Sequence, residues 1–348
     1  MTSKNALSYE QSGVSIDTAD AAKRQMAKSL ATANPRVMNS LGAFASLYDF
    51  RFPEMASPVL VVKMEEPGSK QLLAAQYGRL PAIGHDLVNH IINDTIVMGA
   101  KPLLLQDTII CGKLEKDVVV ALVDTIADAC RTEGCDLVGG ETSEQPRVVP
   151  PGTYILSACC IGVVDRAKII DGSKIEEGDV ILAVASSGVH TNGYTLVRSL
   201  LDQQPGLAHQ RVGDSTFLEQ ILIPHRCYNH PLQQLFSEAV IHGLAHITGG
   251  GLVDNLSRII PQGLQARVDL RSIEVLEIFR AIAKAGNVAQ AEMLRTFNLG
   301  VGLVVVAPKS QVASIKECFE SFGHHTYPIG TIMSGDEPVS CAGSLLLQ

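Results

Sequence analysis

The stretch GHDLVNHIINDTIVMGAKP, residues 84–102, carries the pattern of a helix that stops and gives way to a strand. Apolar residues recur on one face, whereas Asp86 and Asp94 fall at helical spacing on the other. Gly99 supplies a helix stop, and Pro102 prevents the helix from continuing. An apolar run follows, so this stretch predicts one α/β step.

The segments on both sides repeat this alternation of strand and helix patterns, which indicates an α/β fold in both halves of the chain. A polar, turn-rich segment at 165–179 interrupts the alternation, and it predicts two domains, 1–168 and 169–348. A surface loop is expected at 203–215. The predicted strands are 58–64, 103–110, 153–164, 180–185, 301–307 and 326–332, and the predicted helices are 84–98, 116–133, 194–201, 231–240, 252–260 and 312–322.

Composition limits the classes of protein that the chain can represent. It has 348 residues, 46% of them hydrophobic, and a mean hydropathy of +0.18, which supplies packed cores and excludes a disordered polymer. A net charge of −8 without a long Lys/Arg run disfavours nucleic-acid binding. No apolar run is long enough to span a bilayer, so we expect a cytoplasmic protein without membrane contact.

Eight cysteines occur without any C-x-x-C spacing. Cys130 and Cys135 form the only close pair besides the adjacent Cys159 and Cys160. This pattern favours reduced thiols over a zinc site or a disulfide framework.

Acidic residues in apolar surroundings are the first candidates for chemistry. Asp86 and Asp94 either face solvent or look into a cleft and bind Mg²⁺, which prefers oxygen ligands. Asp107 lies inside the apolar strand pattern LLLQDTII, where a carboxylate needs a partner or a metal. Asp107 is therefore a stronger candidate than an average aspartate.

Two glycine-rich stretches are candidates for ligand binding. In LVGGETSEQP, 137–146, Gly139 and Gly140 either form a tight turn or let the backbone approach a ligand. In LAHITGGGLVDNL, 244–256, three glycines between a strand and a helix have the pattern of a phosphate cradle. His246, shortly before these glycines, is either a core residue or a catalytic one.

The stretch ASSGVHTNGYTLVR crowds polar residues at the start of a predicted helix, an end that attracts anions. Ser187, His190, Thr191 and Asn192 lie there, and helix capping accounts for one of the four. His190 has the chemistry to donate to a developing negative charge or to shuttle a proton.

The stretch VVKMEEPGSKQLL, 61–73, is either a charged turn or a loop for phosphate and metal. Pro67 and Gly68 mark a turn, and Ser69 and Lys70 add a hydroxyl and an ammonium that can meet a phosphate. The spacing is not that of a G-x-x-x-x-G-K-[ST] loop, so the segment alone leaves both interpretations open.

Taken together, these stretches resemble the aminoimidazole ribonucleotide synthetase family, also called phosphoribosylformylglycinamidine cyclo-ligases. Residues 94–102 fit the family signature D-x-x-x-x-G-A-x-P. The stretches LVGGET, KIIDG, SSGVHTNGYTLVR, AHITGGG, AGNV and RTFNLGVG fit in the same order, so the likeness covers nearly the whole chain.

The resemblance implies an α/β (α+β) fold of two domains. The N-terminal domain would bind ATP and pair its sheet with that of a second copy in a homodimer. The C-terminal domain would contain a mixed sheet and bind the ribonucleotide substrate.

The resemblance also implies a reaction, the ATP-dependent closure of formylglycinamidine ribonucleotide to aminoimidazole ribonucleotide in purine biosynthesis, with ATP and Mg²⁺ required. The implied catalytic residues are His190, His246 and Asp94. The implied ATP-binding residues are Glu65, Gly68, Ser69, Lys70, Asp94, Gly99, Asp107, Gly140 and Glu141. The implied substrate-binding residues are Ser187, Thr191, Asn192, Gly249 and Gly250, and the implied metal ligands are Glu65, Asp94 and Asp107.

The segment at 64–70 departs from the family pattern, and so do His85 and His90, which stand where the family has apolar or small residues. Where the family has T-D-G-V-G-T-K after a strand, this chain has MEEPGSK at 64–70, which keeps a carboxylate, a hydroxyl and Lys70 but stiffens the loop through Pro67. Two alternatives to the cyclo-ligase stay open, and the second of them rests on this altered loop. One is a sister phosphoryl-transfer enzyme similar to thiamine-phosphate kinase, and the other is a nucleotide-binding paralogue without catalysis.

Overall fold

The computed structural model describes residues 11–39 and 43–347. These residues divide into two compact units. The first unit contains the described residues up to Glu54, together with Val62–Ile91 and Pro102–Ile161. The second unit contains Met55–Val61, Ile92–Lys101 and the described residues from Gly162 onward. The domain division predicted after residue 168 stays a prediction.

The first unit is built on a four-stranded sheet with the strand order β1-β4-β2-β3. Strands β2 and β3 are parallel, and their register shifts by one residue between Leu105 and Gln106. Parts of β1, β2, β4 and α3 fall in the segments assigned to the second unit. The elements are α1 (Ile16–Ser29), β1 (Pro58–Glu65), α2 (Lys70–Gln76), α3 (Ile83–Ile96), β2 (Lys101–Cys111), α4 (Lys116–Thr132), β3 (Asp136–Glu144) and β4 (Tyr154–Asp165).

Helices α1 and α4 pack together in the first unit because each has one apolar face. The Ser15 side chain accepts from the backbone N–H of Thr18 and so caps the start of α1. In α4, Val119, Val123 and Ile126 are buried at helical spacing. The sequence predicted α4 but not α1 or the short α2.

The second unit contains a six-stranded sheet with the strand order β12-β9-β11-β5-β10-β8 and a two-stranded hairpin of β6 and β7. Its pairs are antiparallel except for β12 with β9, so the sheet is mixed as the family resemblance implied. The elements are β5 (Val180–Ala185), α5 (Tyr194–Gln203), β6 (Arg211–Val212), β7 (Ser215–Thr216), α6 (Phe217–Ile221), α7 (Asn229–Glu238), β8 (Gly243–His246), α8 (Gly251–Ser257), β9 (Leu264–Asp269), α9 (Glu277–Gly286), α10 (Gln290–Thr296), β10 (Val301–Ala307), α11 (Val312–Ser321), β11 (Thr326–Ser334) and β12 (Val339–Ala342).

Strand β10 lies inside this sheet, between β5 and β8, and all seven of its residues are buried. Its continuous apolar sequence VGLVVVA is typical of a strand covered on both faces. The register sets Leu303 opposite Val184 on one side and His246 on the other. His246, the last residue of β8, and Val184, the penultimate residue of β5, therefore lie on opposite sides of Leu303.

Gly139 and Gly140 do not form the tight turn that the sequence left open as one alternative, because they lie inside β3. Two expectations need correction. The region 203–215 is not only loop, since it contains a short 3₁₀ helix, Pro205–His209, and the strand β6. The polar turn that contains His324 and His325 predicts two surface residues. His324 instead packs against Tyr228 and Phe319, and its burial lowers the pKa of the imidazole to about 4.

Among the described residues, no helix is both long and apolar enough to cross a membrane.

Gly251, at the start of α8, gives a test of the fold. It has a φ of +67°, and a Cβ there would overlap the carbonyl oxygen of Leu294. We expect Gly251→Ala to lower the free energy of unfolding by at least about 2 kcal/mol, because both backbone strain and steric overlap disfavour the side chain. Urea denaturation measures the change.

Gly206→Ala is the matched control, since a Cβ at Gly206 meets nothing within 4 Å and its φ is not positive. Equal stabilities of the two variants would contradict the placement of Gly251.

Candidate functional site

The loop between β5 and α5 in the second unit carries four of the predicted site residues. Its backbone is held by Asn298, whose amide donates to the carbonyl of Gly188 at 2.9 Å and whose Oδ1 accepts from Ser186 Oγ at 3.1 Å. His190 adopts a left-handed conformation with φ of +63°. A residue in this region of backbone space is strained unless its surroundings hold it, and such residues concentrate at functional sites.

The ring of His190 is buried and has fixed neighbours. Its Nε2 accepts from the backbone N–H of Ser187 at 3.2 Å, and the ring stacks on His225 with centroids 3.9 Å apart. Gly302 of β10 makes room for this arrangement, because a Cβ there would overlap Tyr228 Oη and lie 2.8 Å from His190 Cε1. Gly302 also lies where the register of β10 with β5 shifts, between Val301 and Leu303, so both the sheet irregularity and the site account for a glycine here.

Four side chains of the second unit form a continuous line of hydrogen bonds, which we name the imidazole chain: Asp94, His246, His225 and Thr191. Asp94 Oδ1 lies 2.7 Å from His246 Nδ1. The Nε2 atoms of His246 and His225 are 2.9 Å apart. His225 Nδ1 lies 3.2 Å from Thr191 Oγ1. All but Asp94 are buried, so the line runs from a partly exposed carboxylate into the interior.

The chain folds so that distant segments meet in this line. Asp94 comes from α3, His246 from the last position of β8, and Thr191 from the loop before α5. His225 follows Pro224 in an irregular segment that Asn93 holds in place. The amide of Asn93 donates to the carbonyl of Arg226 at 2.8 Å, and its Oδ1 accepts from the backbone N–H of Tyr228 at 2.9 Å.

Sequence reasoning missed His225. It has no recognisable metal-ligand spacing, and it stands at no helical or strand interval from His190 or His246. Only the tertiary fold brings the three rings together, where one nitrogen of each lies within 4.8 Å of one nitrogen of the others.

The predicted phosphate cradle has the expected location between β8 and α8. Gly250 and Gly251 both have positive φ values, and Asn255 ties the turn down by donating to the carbonyls of Gly249 and Gly251 at 3.1 and 2.8 Å. Asn192 borders the turn, since a Cβ at Gly249 would lie 3.3 Å from its Oδ1. The loop before α5 and the glycine turn are thus neighbours. The predicted role of Gly249 and Gly250 in substrate binding stays a prediction.

In the first unit, Asp107 lies on β2 opposite Gly140 of β3. A Cβ at Gly140 would overlap Asp107 Oδ1, so the glycine leaves space for the carboxylate. Asp107 is 6% exposed, and burial raises its pKa to about 7. Among the residues that the structure describes, no Lys, Arg or His forms an ion pair with it. Asp107 is therefore a candidate ligand for a bound cation.

A cavity of about 560 Å³ in the first unit borders the same strands. Gln106 from β2 and the run from Gly139 to Thr142 on β3 form one wall. Lys23 of α1 and Ser46 line it from the N-terminal segment. Its lining includes Gly140 and Glu141, two of the predicted ATP-binding residues.

Lys70 and Asp86 form a buried ion pair in the first unit, with Nζ and Oδ1 2.7 Å apart and exposed fractions of 0% and 1%. Burial lowers the pKa of Lys70, and the Asp86 carboxylate opposes that effect. Asp86 is therefore neither on a solvated helix face nor placed as an open metal ligand. The predicted contact between Lys70 and ATP stays a prediction.

The remaining predicted residues of the ATP site have local structural explanations. Glu65 ends β1 and pairs with Lys63 at 2.9 Å. Gly68 has a positive φ, and Ser69 stands at the start of α2. Gly99 also has a positive φ, and a Cβ there would lie 2.6 Å from the carbonyl oxygen of Lys168, so packing within the second unit already requires this glycine.

Comparison with known proteins identifies the family. The description "AIR synthase related protein, N-terminal domain" matches residues 57–164, and the corresponding C-terminal domain matches residues 176–340. The phosphoribosylformylglycinamidine cyclo-ligase of Carboxydothermus hydrogenoformans is 40% identical over 337 residues, 96% of this chain and 98% of that protein. The enzyme of the same name from Methylobacillus flagellatus is 39% identical over 330 residues, 94% of this chain and 95% of that protein.

Solved structures share the fold at lower identity. Thiamine-monophosphate kinase from Stenotrophomonas maltophilia K279a superposes with a TM-score of 0.65 at 18% identity, covering 93% of this chain and 95% of that one. The hydrogenase maturation protein HypE in complex with ATP gives 0.64 at 21% identity, covering 89% and 83%. Both domains and nearly the full length match, so the chain belongs to the AIR synthase related family, among the phosphoribosylformylglycinamidine cyclo-ligases, as its motifs predicted.

Proposed function

We propose that the chain catalyses the ATP-dependent cyclisation of formylglycinamidine ribonucleotide to aminoimidazole ribonucleotide, with release of ADP and phosphate. The observation that carries the proposal is the 2.7 Å hydrogen bond between Asp94 and His246, in one buried cluster with His190 and Thr191. A carboxylate that holds an imidazole is a recurrent arrangement for moving protons in enzymes.

The reaction needs groups that activate an amide oxygen and groups that manage protons. ATP phosphorylates the formyl oxygen, an internal nitrogen attacks the activated carbon, and phosphate leaves as the ring closes. We assign His190 to donating a hydrogen bond to the negative charge that develops during the reaction. The residues assigned to positioning the ribonucleotide are Ser187, Thr191, Asn192, Gly249 and Gly250. These residues belong to two adjoining loops of the second unit, which supports a common ligand.

We assign ATP to the 560 Å³ cavity of the first unit, where Gly140 and Glu141 lie. Asp107 fits a magnesium ligand, because it is a buried carboxylate with a raised pKa beside a glycine that leaves space. Glu65 and Asp107 would hold the ion, and bound magnesium would neutralise charge on the transferred phosphate. We assign Asp94 to His246 rather than to the metal, since its carboxylate already orients that ring.

The altered loop at 64–70 is the segment that raises the question of whether this chain retains catalytic activity. Lys70 is enclosed with Asp86, and Glu65 pairs with Lys63, so these two charged groups of the loop have internal partners. This observation favours the second candidate function, nucleotide binding without catalysis, over the kinase-like alternative.

Turnover by the purified chain distinguishes the two candidates. ADP release is measured with Mg-ATP in the presence and absence of formylglycinamidine ribonucleotide, and the aminoimidazole product is detected by its colour reaction. We expect substrate-dependent ADP matched one to one by the imidazole. Binding of ATP without ADP release in the presence of substrate would overturn the cyclo-ligase proposal and support the paralogue.

The raised pKa of Asp107 predicts a pH-dependent stability when no divalent cation is present. The unfolded chain releases this proton near pH 4, whereas the folded chain keeps it until about pH 7. The neutral Asp107 carboxyl therefore contributes to the free energy of unfolding at low pH. This contribution, on the order of 4 kcal/mol, is lost as the pH rises through this window. Asp107→Asn should remove that loss.

The measurement is urea denaturation from pH 5 to pH 8, read as the difference between the variant and the parent chain. Asp128→Asn, a change of an exposed acid on α4, is the control and should leave the profile unchanged. Parallel curves for Asp107→Asn and the parent chain would show that the carboxyl titrates normally.

We propose that a second copy of the chain covers one face of β1. This strand lies at the edge of its sheet, and Leu60, Val62 and Met64 alternate on one face with exposed fractions of 51%, 62% and 66%. An exposed apolar edge strand is a liability unless a partner covers it. The pattern supports the homodimer that the resemblance implied.

The double variant Val62→Lys/Met64→Lys should shift the chain from dimer to monomer and raise the dissociation constant at least about tenfold, because two charges would be buried against apolar surface. Sedimentation velocity across a concentration series measures it. Val240→Lys changes an equally exposed apolar residue of the second unit and should have no effect. Unchanged sedimentation of the double variant would exclude this face.

A further inference from the structure

The imidazole chain has a direction that follows from proton counting. The Asp94 carboxylate only accepts hydrogen bonds, so the proton of the 2.7 Å contact sits on His246 Nδ1. A neutral His246 then presents a lone pair at Nε2, and His225 must donate from its own Nε2 across 2.9 Å. A neutral His225 presents a lone pair at Nδ1, to which Thr191 donates its hydroxyl proton at 3.2 Å.

This direction fixes what Thr191 can recognise. Its proton points inward to His225, so toward a substrate the hydroxyl oxygen acts as an acceptor. A group that binds there must bring an N–H or O–H. In the proposed cyclisation, the nitrogen that closes the ring is such a donor, and it has to lose a proton.

We propose that Thr191 takes the proton of the ring-closing nitrogen and that His225, a residue without a role in the function proposed above, passes the equivalent proton on to His246. This proposal rests on the proposed function for the identity of the donor. Thr191 would touch the substrate, whereas His225 acts through Thr191 and is a positioning residue.

The step balances without a further reactant. The N–H bond of the substrate breaks as its nitrogen forms the new C–N bond to the activated carbon, and the N–H proton goes to Thr191 Oγ1. The C–O bond between that carbon and the phosphate breaks, and the phosphate leaves with the electron pair of that bond. The Thr191 proton moves to His225 Nδ1, and the proton on His225 Nε2 moves to His246 Nε2. His246 then carries protons on both nitrogens, and this imidazolium faces the Asp94 carboxylate. Opposite charges 2.7 Å apart stabilise that product state.

His190 stands outside this path although its ring stacks on His225. Its Nε2 accepts from the backbone N–H of Ser187, so that nitrogen carries no proton to pass on. The stacking contact covers one face of His225 and adds to the burial of the relay. A relay shielded from water delivers its proton to one acceptor, because competing bases in solvent are excluded.

The direction of the chain is tested first, by ¹⁵N NMR of the histidine rings in the full-length protein without substrate. We expect His246 protonated at Nδ1 and His225 at Nε2. A resting state in which His225 carries its proton at Nδ1, or in which His246 is cationic, would overturn the proposal. Because this measurement needs no turnover, its result does not depend on whether the proposed function is correct.

The relay itself is tested with His225→Gln. The glutamine amide can accept from Thr191 and donate to His246, so it reproduces the hydrogen bonds but cannot exchange protons along the line. We expect kcat for aminoimidazole formation to fall by about 10²- to 10³-fold, the range of a lost general base, while KM for the ribonucleotide and the melting temperature stay close to those of the parent. A loss of less than about threefold would reduce His225 to a structural residue and overturn the relay.

Two further variants complete the set. Thr191→Ser keeps the hydroxyl and should retain most of kcat, whereas Thr191→Val should lose it to the same extent as His225→Gln. His209→Gln changes an exposed histidine and should leave every readout unchanged. Full activity of Thr191→Val would show that the proton leaves by another route. If the unsubstituted protein forms no aminoimidazole, the proposed function is wrong. The NMR measurement then remains the test of the tautomers in the imidazole chain.

Discussion

The second unit depends on one constraint, the use of β10 as a shared partner by β5 and β8. β10 is buried at every position and pairs on both edges, which satisfies its backbone groups where unpaired ones would be costly. The two neighbours are therefore locked in register, and the polar residues at their ends arrive at the same place. His246 enters the site as the last residue of β8, and the loop with His190 begins where β5 ends. The chemistry of the site is positioned by apolar side chains that take no part in it.

Helix α3 shows how one sequence pattern yields two unlike environments. Asp86 and Asp94 are eight residues apart and share a helix face, so spacing alone gives them the same interpretation. Asp86 meets the ammonium of Lys70 and becomes one half of a buried ion pair. Asp94 meets an imidazole nitrogen instead and orients a proton carrier. The two environments differ because residues distant in sequence place an ammonium beside one carboxylate and an imidazole beside the other. A local sequence pattern does not contain that information.

The same limit explains what could be predicted from the sequence. Buried strands such as β10 and amphipathic helices such as α4 were predicted, because their periodicity reflects burial directly. The glycine turn after β8 was located because positive φ values demand glycine. His225 was missed, since its importance arises from contacts with residues more than 20 positions away. For Gly139 and Gly140 the sequence left a turn and a close approach open, because the space at Gly140 serves a residue on the neighbouring strand, Asp107.

Gly302 places a limit on how far this protein can be stabilised. Glycine within a strand costs roughly 0.5–1 kcal/mol relative to alanine, so a search for stabilising substitutions would select this position early. Any side chain there would displace the rings of Tyr228 and His190. The sheet therefore retains a weak point in a fully buried strand, and heat-resistant variants will have to be sought through changes elsewhere in the chain.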